Sequence, residues 1–245
     1  SLNHDGLTVV ITNSAKEASS QRGAIEFFSK GQDLPILIFP DWETLPYDIF
    51  SPHQDIISGR LKTLAKLPTT KQGILLVPIT TIMHRLAPVD FVSSRSFHYQ
   101  VGDELDRDNL QSQLNKVGYN RVDTVYEHGE FAFRGSIIDI FPMGAKSPFR
   151  LDLLDTEVES LRLFDPESQR TIESVQRIDV LPAREFPLDK QSINTFLNKW
   201  HDCFDNNPDP CPVYRDVKES IAPQGIEYYS SLFFEKTATL FDYLP

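Results

Sequence analysis

The side chains that could do acid–base, nucleophilic or metal chemistry stand apart in this chain of 245 residues. The six histidines, His4, His53, His84, His98, His128 and His201, are scattered singly and each reads as a surface or capping residue rather than a base. Cys203 and Cys211 stand at no ligand spacing with histidine, so neither a zinc site nor a disulfide framework is expected. A nucleotide site would need a G-x-x-x-x-G-K-S/T loop, whose backbone N–H groups cradle phosphates and whose lysine reaches the β- and γ-phosphates, and the sequence has none. Its Asp103-Glu104 pair stands in a polar turn, not after a buried strand where a magnesium-binding pair belongs. No G-x-S-x-G elbow or H-E-x-x-H helix appears. Asp41, Glu43 and Asp48 lack a nucleophile or base beside them. The expected picture there has Trp42, Leu45 and Tyr47 plugged into the core while the acids solvate a loop. No catalytic residue, metal or cofactor is expected in this fragment.

Arginine carries the remaining signal. Side chains alternate faces along a strand. In the run FRLDLL from Phe149, Leu151 and Leu153 share the core face, while Arg150, Asp152 and Leu154 share the other. In the run EFAFRGSIIDI before it, Arg134 shares parity with Ser136, and upstream Arg121 shares parity with Asp123. Arginines flanking an unpaired apolar residue have the composition of a protein-binding patch. The other reading is a solvated face with a stray leucine, in which the arginines pair with Asp139, Asp152 or Asp155 of their own sheet.

The elements that must hold these residues fall into two styles. LTVVIT at 7–12, PILIF at 35–39 and GILLV at 73–77 are continuous apolar runs, the mark of parallel strands buried on both faces. Between them Ser14 and Glu17 suggest a capping box, as do Ser51 and Gln54, with Pro52 at a first helical position. These are βαβ units of an α/β layer, and the 40–48 loop lies beyond a strand's carboxyl end, where such sheets place ligand sites. From about residue 96 the pattern changes to one helix, 106–117 with Gly118 as its cap, and then four or five short alternating strands. A helix at 189–205 with Ile193, Phe196, Leu197, Trp200 and Phe204 inward follows, then a loop at 206–212 and an apolar tail. The expected division is 1–95 and 182–245 as one α/β domain, with 96–181 as an inserted α+β subdomain containing an antiparallel sheet.

A formal net charge of −11 argues against a surface given over to nucleic acid. No apolar run is long enough to span a membrane and no signal peptide is seen, so a cytoplasmic location without membrane partners is expected. The chain opens at Ser1 rather than Met, which suggests a trimmed start.

At PDWETLPYD, FSPHQDIISGRL and EHGEFAFRGSIIDIFP the chain resembles the N-terminal module of the bacterial transcription-repair coupling factors, itself similar to the excision-repair protein UvrB. The resemblance covers nearly the whole chain. It implies a vestigial helicase-like domain without an ATP site, carrying an inserted subdomain that binds the damage sensor UvrA. It places UvrA-contacting residues at Arg134 and Arg150, an apolar contact at Leu154, commonly aromatic in the family, and a UvrB-type position at Arg121. Ala132 stands where UvrB has an arginine. The long aromatic insert with which UvrB clamps damaged DNA is missing after Tyr47, so DNA binding is expected to be weak at most. The family also implies an ATP-dependent translocase and other domains outside this chain, one of which can mask the UvrA surface. The competing expectation is a helicase-like half-domain that retains ATP or DNA binding.

Overall fold

The computed structural model describes residues 6–31, 34–204 and 211–245. His4 and the expected loop residues 206–210 lie outside them. The first block is a three-stranded parallel sheet in the order β1-β3-β2, formed by β1 (Leu7–Thr12), β2 (Ile36–Ile38) and β3 (Gly73–Pro78). The central β3 is buried along its whole length, as its unbroken apolar sequence requires. Helix α1 (Ala15–Phe28) lays Ala18 and Ile25 against Ile74 and Leu76 on one face. Helix α2 (Gln54–Lys66) buries Ile57, Leu61 and Leu64 with Phe39 and Leu75 in the main core. Burying a leucine of this kind stabilises a fold by ~1.5–3 kcal/mol.

Both capping boxes differ from expectation. The Ser14 hydroxyl accepts from the Glu17 N–H at 3.2 Å, but Glu17 reaches back to the Asn13 N–H at 2.9 Å instead of Ser14. Ahead of α2 the cap is His53, whose Nδ1 accepts from Asp55 N–H at 3.3 Å. Ser51 is taken up elsewhere, donating to Glu227 Oε2 at 2.8 Å and accepting from Gly225 N–H at 3.0 Å.

Short helices α3 (Ile79–Ile82) and α4 (Asp90–Ser94) lead to β4 (Phe97–Gln100) and then to α5 (Arg107–Lys116), capped by Asp106. Next come β5 (Asn120–Arg121), β6 (Glu130–Arg134), β7 (Ile137–Ile140), β8 (Phe149–Leu154), β9 (Glu157–Phe164) and β10 (Thr171–Val175), one six-stranded sheet in the order β10-β9-β8-β7-β6-β5. Five of these strands form the expected antiparallel meander. β5 departs from it by pairing with β6 in parallel. β11 (Arg177–Val180) returns to pair antiparallel with β4, so the strands at either end of this segment lie side by side.

The tail supplies α6 (Lys190–Cys203), α7 (Pro212–Lys218) and 3-10 helices at Ile226–Phe233 and Leu240–Tyr243. Trp200 stacks on Tyr229 with centroids 5.4 Å apart and Phe186 on Phe233 at 4.9 Å, so α6 packs against its own tail. A single core cluster runs from Phe39 and Leu61 through Leu110, Ile138 and Leu151 to Phe196 and Tyr243.

Candidate functional site

Register sorts the side chains of the six-stranded sheet by face. Phe133, Ile138, Leu151 and Leu161 stand opposite one another and are the core row, which packs with Leu110 and Leu114 of α5. The next row on the other face is Ala132, Asp139, Arg150, Arg162 and Ser174, and beside it run Arg134, Ile137, Asp152 and Ser160. The face expected from parity therefore exists, and it carries Arg134, Arg150 and Leu154.

Asp139 organises it. Its carboxylate is almost wholly buried, at 1% exposure, and accepts from Arg134 Nη2 at 2.9 Å, Arg150 Nε at 2.7 Å and Arg150 Nη2 at 2.9 Å. The two-pronged Arg150 contact is the strong planar kind, and hydrogen bonding to Asp139 raises the Arg150 pKa above its ordinary value. Arg150 also lies over the Phe164 ring at 4.5 Å and donates to the Gln169 carbonyl at 3.4 Å. Gln169 in turn donates to the Val125 and Pro166 carbonyls at 3.1 and 2.7 Å. Arg134 has no such scaffold; its side chain is 46% exposed against 17% for Arg150. Leu154 ends β8 just before Asp155, which turns the chain at φ 55°, and it is 64% exposed.

Sequence reasoning missed Arg162. It stands directly across from Arg150 and donates to Asp152. Opposed like charges are unfavourable unless compensated, and Asp139 and Asp152 compensate them. Arg134, Arg150 and Arg162 share this face with Asp139 and Asp152, with Glu157 directly across from Leu154, and with Glu130 on the parity of Arg134. The arginines are therefore matched by acids and the face carries no excess of positive charge.

Arg121 is not there. It pairs with Phe131, a core-row residue, and its guanidinium sits 5.7 Å from the Phe133 centroid while donating to Gln111 of α5 at 3.2 Å. Arg107 covers the same ring at 5.2 Å. Arg121 thus lies on the α5 side of the sheet, across from Arg134 and Arg150, because its register partner is the core-facing Phe131. The in-sheet pairing weighed from the sequence is also present, since both arginines hold Asp139. Charge reversal at either would therefore lower stability as well as change the surface, because it would set a second carboxylate beside a buried one.

A second polar cluster occupies the carboxyl end of the parallel sheet. Trp42 is buried, stacks on His84 at 4.4 Å, and donates through Nε1 to Glu185 Oε2 at 3.2 Å. Arg60, fully buried, donates to Glu185 Oε1 at 2.6 Å and to the Pro40 carbonyl at 2.8 Å, with its guanidinium over Phe39 and Trp42. Burial and the Arg60 charge push His84 down to about 4. Both Glu185 oxygens are engaged, by Arg60 and by the Trp42 indole, while Arg60 Nη2 and His84 Nδ1 are buried without a hydrogen-bond partner. Asp41 is spent on the Thr80 and Thr81 hydroxyls. Trp42 is buried as expected, but Leu45 and Tyr47 are exposed. Thr44, between them and Trp42, is tied to Tyr228, and the backbone beyond it swings outward with Tyr47 at φ 62°.

Residues 97–186 match the model of the UvrB interaction domain. The transcription-repair-coupling factor of Escherichia coli strain K12 is 46% identical over 243 residues, which cover 99% of this chain and 21% of that protein. The namesake from Haemophilus influenzae is 44% identical over the same shares, and that from Bacillus subtilis is 31% identical over 87% of this chain and 19% of its own. The chain spans about a fifth of the length of the relatives it matches.

Proposed function

We propose that this chain, a homologue of one section of the transcription-repair-coupling factors whose residues 97–186 belong to the UvrB interaction domain family, is a non-catalytic docking module that binds UvrA in transcription-coupled repair. The observation that carries this reading is the Asp139 network, which fixes two guanidiniums on the same sheet face as the exposed Leu154. A carboxylate buried between two arginines orients them. It leaves the half-exposed Arg134 with N–H donors free for an acidic partner, while Arg150 is mostly engaged with Asp139 and Gln169 and braces the site. Leu154 supplies the apolar neighbour that excludes water from such pairs. The missing phosphate loop supports the non-catalytic part. Other domains of a longer polypeptide could cover the same face and mask it.

The test is calorimetric titration of purified UvrA into the chain and into Arg134→Ala, Arg150→Ala and Leu154→Ser. Each variant should lose about tenfold or more in affinity, ~1–3 kcal/mol, with wild-type binding weakened by added salt. Unchanged affinity in all three ends the reading. Binding of ATP by the isolated chain would favour the helicase-like alternative instead.

A further inference from the structure

The loop beyond β2 presents a contiguous apolar surface that the fold does not use. Within six residues Leu45, Tyr47, Ile49 and Phe50 are 72%, 66%, 72% and 62% exposed. Scattered single apolar residues need no explanation, but four in one loop do. The segment is held in place. Glu43 and Tyr47 both adopt the left-handed backbone at φ 58° and 62°, and the Tyr228 hydroxyl donates to the Thr44 carbonyl at 2.5 Å. Ser51 N–H donates to Gln224 Oε1 at 3.2 Å, and Gly225 packs so closely that an added Cβ would lie 2.2 Å from the Asp48 carbonyl oxygen. Only Tyr47 leans inward, its ring 5.4 Å from Tyr229. Strained, well-tied backbone that turns apolar side chains outward is the arrangement of a pre-organised contact.

Charge identifies the occupant. Between Lys30 and Arg60 the sequence has no lysine or arginine, while Glu43 and Asp48 flank the exposed side chains. Such a rim repels nucleic-acid phosphates and anionic lipid headgroups. It favours a protein surface that offers an apolar pocket rimmed by lysine and arginine. We propose that residues 45–50 dock such a cationic, apolar protein surface. This is a second interface, distinct from the Arg134–Arg150 face, and it does not depend on the UvrA assignment.

The probes are a short amphipathic leucine–lysine peptide, its leucine–glutamate counterpart and a short DNA duplex, each labelled and titrated by fluorescence anisotropy. The targets are the chain, Leu45→Ser/Ile49→Ser/Phe50→Ser and Glu43→Lys/Asp48→Lys. The expected result is binding of the leucine–lysine peptide alone, weakened about tenfold or more by either variant, with unchanged melting of the serine variant. Should the serine variant fail to fold, the lysine variant decides. Peptide binding that survives the lysine variant, equal binding of the glutamate peptide, or duplex binding lost with the loop overturns the proposal. So does a concentration-dependent dimer of the wild-type chain that the serine variant abolishes, since the occupant would then be a second copy.

Discussion

Arginine meets a carboxylate in two regions of this chain, with burial reversed between them. At the carboxyl end of the parallel sheet Arg60 is fully buried, and Glu185, its partner at 2.6 Å, is nearly so. Across the six-stranded sheet the acid is the more buried partner, Asp139 at 1% exposure beneath a mostly covered Arg150 and a half-exposed Arg134. The first arrangement turns its charge inward. The second uses a buried anion to hold a cation outward. The same ion pair is an internal tie in one place and a mount in the other, and what differs is which partner keeps contact with water.

The buried side should break hardest. Arg60→Met leaves the Glu185 carboxylate buried with Trp42 Nε1–H as its remaining donor, which should cost about 3–5 kcal/mol in urea denaturation. The double variant Arg60→Met/Glu185→Leu should recover most of that loss, because two apolar groups leave no charge uncompensated. A single variant losing under ~1 kcal/mol would show that water reaches the pair.

On the mounted side the loss should be smaller and uneven. Arg150→Ala removes two of the three hydrogen bonds to Asp139 and should cost about 2 kcal/mol of stability, while Arg134→Ala removes one exposed arm and should cost under ~1 kcal/mol. Equal losses in thermal or urea melts would contradict the division of labour between a braced arginine and a free one. It also makes Arg134→Ala the cleaner test of binding, since its stability cost is the lesser.

A further effect sharpens the comparison through pH. Burial first, and the Arg60 charge second, hold His84 at about 4, below its ordinary value of 6.5. The folded chain therefore keeps this ring neutral while the unfolded chain takes up a proton near the ordinary value, so acid favours unfolding. Its contribution should be complete above about pH 6.5 and be lost progressively as pH falls towards 4. The ring is partly exposed, which trims the effect to about 1–2 kcal/mol. His84→Gln should flatten that stretch of the stability–pH curve. An unchanged slope would mean that other groups carry it.

Much of this was legible before any coordinates. The parallel strands announced themselves as unbroken apolar runs, and parity put Arg150 and Leu154 on one face because both lie on β8, four residues apart. The resemblance grouped Arg121 with them, and parity could not place it, because the stretch between β5 and β6 does not fix which residue of β6 it pairs with. Arg60 went unread although its position offered a signal. It falls on the helical stripe with Ile57, Leu61 and Leu64, where a charged residue must have a buried partner. That partner, Glu185, lies 125 residues away in sequence and no local pattern joins them. Leu45 and Tyr47 looked like core residues because apolar type was the only cue. Their exposure follows from two left-handed residues and a set of tail contacts that sequence spacing does not encode.

The ladder between β4 and β11 determines how tension would travel through the backbone. Phe97 pairs with Val180 at the end where the chain enters and leaves, and Gln100 pairs with Arg177 three rungs deeper. A pull on the residues before Phe97 and after Val180 would load one rung at a time, in the manner of a zipper opened from its free end. Leu181 and Ala183, just outside the ladder, are tied to Met143, Tyr119 and Val117, so these bonds would share the load with the outermost rungs. The arginine-bearing strands lie behind this double clasp, and the backbone of β6, β7 and β8 would be stretched only after both sets of ties had parted.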